Sequence, residues 1–101
     1  MNGIELIAKE RQRQIDEEGW TSEHDAEHIN GELANAAASY AMTDYMRERL
    51  QRLANTEGCP PTFQWSLEWW KPCPDDRIKE LVKAGALIAA EIDRLQNSNE
   101  K

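Results

Sequence analysis

Apolar positions recur at helical spacing through most of the chain, and no segment alternates with the two-residue period of a strand. In residues 2–18, Ile4, Ile7, Ala8 and Ile15 mark one face, with Arg11 on the same line and charged residues around the rest. This pattern predicts a first helix that Gly19 ends as a C′ glycine, after which Trp20 folds back onto it. A second helix is expected from about Ser22 to Leu53, with a break near Thr43 and Asp44. Thr21 or Ser22 can cap its start, where Glu23 and Asp25 suit the positive helix end. Ile29, Leu33, Ala36, Ala37 and Tyr40 give this helix an apolar side, and the run Ala34–Ala41 favours close helix packing. Arg47, Glu48, Arg49 and Arg52 read as a solvated face.

The last helix is expected to begin near Pro74–Asp76. Ile78, Leu81, Gly85, Ile88, Ile92 and Leu95 follow at alternating intervals of three and four, the seam of a helix packed at a shallow angle. Val82 and Ala89 widen the seam, and the small residues Ala84, Gly85, Ala86 and Ala89 let another helix approach. Between the helices, residues 54–74 hold all four prolines together with Phe63, Trp65, Trp69 and Trp70. Three tryptophans do not suit a solvent-exposed linker, so this loop is expected to pack on the helices, cover a pocket or enter a subunit interface. Two readings stand equal: a plug for the core, or a lid whose rings stack on a base. The fold expected is all-α, a single domain over 1–101 built as a three- to four-helix bundle with the Trp/Pro-rich loop before its last helix. A chain of 101 residues has a modest core, so a homodimer or higher homo-oligomer is expected.

Composition narrows the function. The net charge of −7 leaves no basic footprint for a phosphate backbone, which argues against nucleic-acid binding. A phosphorylated small molecule remains open, since a divalent cation bridges carboxylates to phosphates. The longest apolar run, Ala84–Ala90, is too short to span a bilayer, so a cytoplasmic protein without membrane contact is expected. Cys59 and Cys73 then read as reduced loop thiols; their spacing fits no common zinc pattern.

Candidate chemistry concentrates in Thr21–Tyr45. His24, His28 and Glu32 lie four apart, which stacks them on one face of a continuous helix, with Asp25 and Asn35 beside them. The carboxylates suit magnesium; histidines four apart suit zinc or another transition metal. The alternative is a capped acidic helix start whose histidines face solvent or bond the loop. Glu32 adjoins an apolar face, so partial burial and a partner are expected for it. On the last helix, Glu80 and Lys83 flank the seam, as do Glu91 and Arg94. Were Glu80 to face Glu32 across the bundle, a cation or proton would have to sit between them.

ERQRQ at 10–14, EEGW at 17–20, HD at 24–25, GELANAA at 31–37 and KELVKAGALIAAEIDRL at 79–95 resemble the small phage and prophage relatives of the MazG-type all-α nucleotide pyrophosphohydrolases. The resemblance spans most of the chain outside the tryptophan loop. It implies a helical oligomer that hydrolyses a nucleoside triphosphate to monophosphate and pyrophosphate, with Mg2+ held by an EExxE and an ExxD motif. Glu32 matches the last glutamate of the first motif, whose two leading glutamates fall on His28 and Ile29. Glu80 matches the glutamate of the second, where Lys83 replaces the aspartate.

Three functions follow as expectations. The first is a divergent Mg2+-dependent pyrophosphohydrolase with Glu32 and Glu80 as catalytic metal ligands and Asp25 and His28 completing the shell. In it His24, Asn35, Lys83, Trp65, Trp69 and Trp70 contact the nucleotide. The second is an inactive nucleotide-binding protein that sequesters a signalling nucleotide, as a phage anti-defence factor would. The third is a small acidic interaction module that docks through its tryptophan loop.

Overall fold

The computed structural model describes residues 1–21, 23 and 30–99, with side chains to Asn97. Among these residues every regular element is helical: α1 (Gly3–Glu18), α2 (Glu32–Ala41), α3 (Asp44–Ala54) and α4 (Arg77–Asn99), with a 3₁₀ turn at Leu67–Trp69. No helix is long and apolar enough to cross a membrane among the described residues.

Local chemistry sets the helix ends. Asn2 Oδ1 accepts from the Glu5 amide while Glu5 Oε1 accepts from the Asn2 amide, a reciprocal capping box for α1. Gly19 closes α1 at φ +71°, a left-handed conformation that glycine adopts without strain, and the Trp20 amide then donates back to the Gln14 carbonyl. The expected break at Thr43 is present: Met42 ends α2 and the Thr43 hydroxyl caps α3. A second break was not expected. Gly31 precedes α2 at φ +79°, so Glu32 starts a new helix. The single helix expected from about Ser22 to Leu53 is therefore interrupted at Gly31. His24, Asp25 and His28 themselves lie outside the described residues.

α2 packs along α4, and α1 packs on another side of α4. Leu33, Ala36, Ala37 and Tyr40 from α2 meet Ala84, Leu87 and Ala90 from α4 in the buried core, with Phe63 from the loop. Small residues on both helices permit this close approach, as the alanine run predicts. Gly85 admits α1 in the same way. A Cβ built on it would lie 2.5 Å from Ile7 Cδ1, so only glycine accommodates that contact as it stands.

The tryptophan loop divides its work. Trp70 stacks on Tyr40 with centroids 4.8 Å apart and meets Phe63 edge-on at 5.1 Å. Trp65 packs edge-on to Phe63 at 5.7 Å and tilts against Trp20 at 6.2 Å. Trp20, Trp65 and Trp70 thus extend the core, whereas Trp69 is 52% exposed.

Candidate functional site

The two carboxylates singled out by the sequence occupy opposite ends of the α2–α4 pair. Glu32 is the first residue of α2, where its Oε1 accepts from the Asn30 amide at 2.6 Å. Its charge reaches Arg94, whose guanidinium is raised chiefly by the hydrogen bond to Glu91, against burial, with Glu32 adding to it. Glu80 lies fourteen residues before Arg94, roughly 21 Å along an α-helix, and adjoins the residues that close α2.

The surroundings of Glu80 explain that position. Its side chain is 3% exposed and takes Arg47 Nη1 on one oxygen and Arg77 Nη1 on the other, each at 3.1 Å. The Cys73 amide donates to the same carboxylate at 3.0 Å. Burial works to raise the Glu80 carboxyl, and the three donors outweigh it and hold it below its ordinary value. The arginines are held in turn by the carbonyls that α2 leaves without helical partners. Arg47 Nε donates to Ser39 O at 2.9 Å and Nη2 to Tyr40 O at 2.8 Å. Arg77 donates to the carbonyls of Tyr40, Ala41 and Met42. Two guanidiniums thus cap one helix end, and Glu80, together with Asp44 at 2.9 Å from Arg47 Nη1, neutralises them. Arg47, read from the sequence as part of a solvated face, is 6% exposed. Its position was not legible because the carbonyls it serves lie on another helix.

This arrangement does not suit a magnesium ion at Glu80, because two fixed cations occupy the directions from which an ion would approach. Among the described residues no three His, Cys, Asp or Glu side chains converge as metal ligands. The remaining part of the ligand set expected from the sequence, Asp25 and His28, lies outside those residues. Cys59 and Cys73 are free thiols.

The residues assigned to nucleotide contact separate into two groups. Trp65 and Trp70 are engaged in the core, and Asn35 Nδ2 is tied to Gln64 Oε1 at 2.7 Å. Lys83 and Trp69, by contrast, line an open cleft of about 40 Å³ between α1, α4 and the tryptophan loop. Glu10, Arg13, Gln14, Glu18, Trp20, Tyr40, Lys71 and Leu87 complete its walls, and the sequence reading had named none of them as a ligand contact. Arg13 is held by Glu10, Glu17 and Glu18 at 2.7–3.4 Å. Lys83 Nζ donates to Lys71 O at 2.9 Å and lies 5.5 Å from the Tyr40 ring centroid; Lys71 Nζ lies 6.0 Å from that of Trp69. Neither lysine pairs with a carboxylate among the described residues.

Gln14 adds a directed acceptor. It is 2% exposed, and its Nε2 donates to Glu10 Oε2 at 3.2 Å. An ionised carboxylate only accepts, so the amide must present its nitrogen to Glu10 and turn Oε1 away. That Oε1 is buried without a hydrogen-bond partner on a residue that lines the cleft. Glu10 supports this: burial works to raise its carboxyl, but Arg13, Gln14 and Lys83 hold it below its ordinary value. The cleft therefore combines two ammonium groups and an exposed indole with the carboxylates of Glu10 and Glu18, and Gln14 in its wall keeps a buried Oε1 without a partner.

Comparison of the chain with family models, with curated proteins and with solved structures gave no match.

Proposed function

We propose that this protein binds a nucleotide at the mouth of the cleft between α1, α4 and the tryptophan loop, its phosphates at the lysines and its base outside on Trp69, without a metal cluster shared by Glu32 and Glu80. The observation that carries the reading is the convergence of Lys71, Lys83 and Trp69 on one opening. Ammonium groups attract phosphate, and an exposed indole stacks on a base. Tyr40 braces the wall: its hydroxyl accepts from the Lys71 amide at 3.0 Å, so ligand contacts by Lys71 and Lys83 are fixed relative to α2. The protein's role on this reading is sequestration of a small phosphorylated molecule.

The test is a panel of nucleoside mono- and triphosphates, with and without Mg2+, followed by thermal shift and pyrophosphate assay. Stabilisation without turnover is expected; a ligand at a hundred times its Kd adds about 2.7 kcal/mol. Lys83→Ala should abolish the shift. Mg2+-dependent pyrophosphate release that disappears in Glu32→Ala would instead assign hydrolysis that depends on Glu32. Neither shift nor turnover across the panel would leave the chain as an interaction module.

A further inference from the structure

Helix α4 carries three faces, and the chain covers two of them. Ala84, Leu87 and Ala90 lie against α2, and Gly85 lies under Ile7 of α1. The third face holds Ile78, Leu81, Ile88, Ile92 and Leu95, which remain between 46% and 66% exposed. At 100° per residue these five side chains fall within about a quarter-turn of one line. Ile7, seated on Gly85, fills the middle of that line, and Ile4 one turn before it on α1 is 81% exposed. The molecule therefore presents a continuous apolar ridge about 25 Å long (eighteen residues of helix) with no charged residue on its crest.

We propose that this ridge is the contact between two copies of the chain, α4 against α4. The 3–4 spacing is that of a seam between helices, and a helix-sized partner must match it over its whole length. Among the described residues α4 alone has such a seam: α2 and α3 have ten and eleven residues, and α1 is already packed on α4. The order of the side chains favours an antiparallel, two-fold contact. Reversed pairing sets Ile78 on Leu95, Leu81 on Ile92 and Gly85 with its Ile7 beside Ile88. A two-fold contact of this kind uses one patch twice and closes on itself. The open side chains amount to roughly 400–600 Å² per copy, at the upper end of what monomers leave exposed. Two such faces bury about 1,000 Å², the lower bound for a specific interface.

The test is the solution mass of the full chain by light scattering or sedimentation, from about 1 to 200 µM. The wild type should weigh twice its 11.6 kDa. Ile88→Lys with Ile92→Lys should halve the mass while helical circular dichroism persists, because neither residue belongs to the chain's own core. Should that pair lose helicity, Leu81→Ser with Ile88→Ser gives the same readout more gently. A wild-type monomer throughout the range would overturn the proposal and leave the ridge to a partner of different sequence. So would an oligomer whose mass none of the folded ridge variants changes.

Discussion

Arg47 Nη1 and Glu80 Oε2 lie 3.1 Å apart, with only 7% and 3% of their side chains exposed. The pair joins α3 to α4 and, through the arginine's other donors, holds the carboxy end of α2. Removing a partner of such a pair leaves a charge buried without compensation. Glu80→Ala should therefore cost about 3–5 kcal/mol, which lowers Tm by at least ~12 °C in a domain of this size. Thermal denaturation followed by circular dichroism measures this. An unchanged Tm would mean that the network contributes nothing.

The same network fixes the pH response. The folded-state carboxyl of Glu80 lies below its ordinary 4.5, so the unfolded chain takes up its proton first as pH falls. Stability from this group is complete above the unfolded value, and is lost as pH drops from about 5 through the folded value. Glu10 shifts in the same direction. Urea denaturation between pH 3 and 7 should show constant stability above pH 5.5 and a decline below it. Glu80→Gln should flatten that decline; an equally steep decline in the variant would refute the assignment.

Gly85 offers a coupling experiment. Gly85→Ala gains up to ~1 kcal/mol of helix propensity, but the new Cβ forces Ile7 to move. Overpacking of this kind costs about 1–3 kcal/mol, so net destabilisation is expected. In an Ile7→Ala background the clash is gone and Gly85→Ala should stabilise. A double-mutant cycle that shows additivity would place Ile7 elsewhere.

The two adjacent tryptophans should part company. Trp70, stacked on Tyr40 and edge-on to Phe63, should cost about 3–5 kcal/mol when replaced by alanine. Trp69, half open on the cleft, should leave Tm within a few degrees and lose ligand affinity instead. Paired thermal-shift titrations of Trp69→Ala and Trp70→Ala read both effects. Equal losses of stability would remove Trp69 from the cleft wall.

A Tyr40→Phe variant probes the brace between loop and helix. Its hydroxyl accepts from the Lys71 amide, so the substitution should cost about 1 kcal/mol in stability. It should also weaken ligand binding by loosening Lys71 and Lys83. Calorimetry on the variant checks the second effect, and unchanged affinity would separate the hydroxyl from the site.

Local rules were sufficient for much of this architecture. The 3.6-residue period marks α1 and α4, Gly19 and Thr43 are readable as a stop and a start, and the loop's prolines exclude a long helix. These signals are legible because the interactions behind them span only a few residues. The alternation of three and four along α4 marked an apolar line, but the chain's own core takes Ala84, Leu87 and Ala90, and Ile78, Leu81, Ile88, Ile92 and Leu95 stay 46–66% exposed. What the pattern could not reveal was which faces the chain covers itself. That depended on Ile7 meeting Gly85 from seventy-eight residues away and on Leu87 meeting α2. In the same way, Glu80 looked like a metal ligand and Arg47 like a surface charge. Folding places the unpaired carbonyls of α2 beside both, and desolvation then turns an arginine and a glutamate into a buried cap. Likewise the indoles at 65, 69 and 70 are equivalent by composition. Their environments differ because burial is a property of assembled surfaces, and no single segment encodes which side chains it will meet.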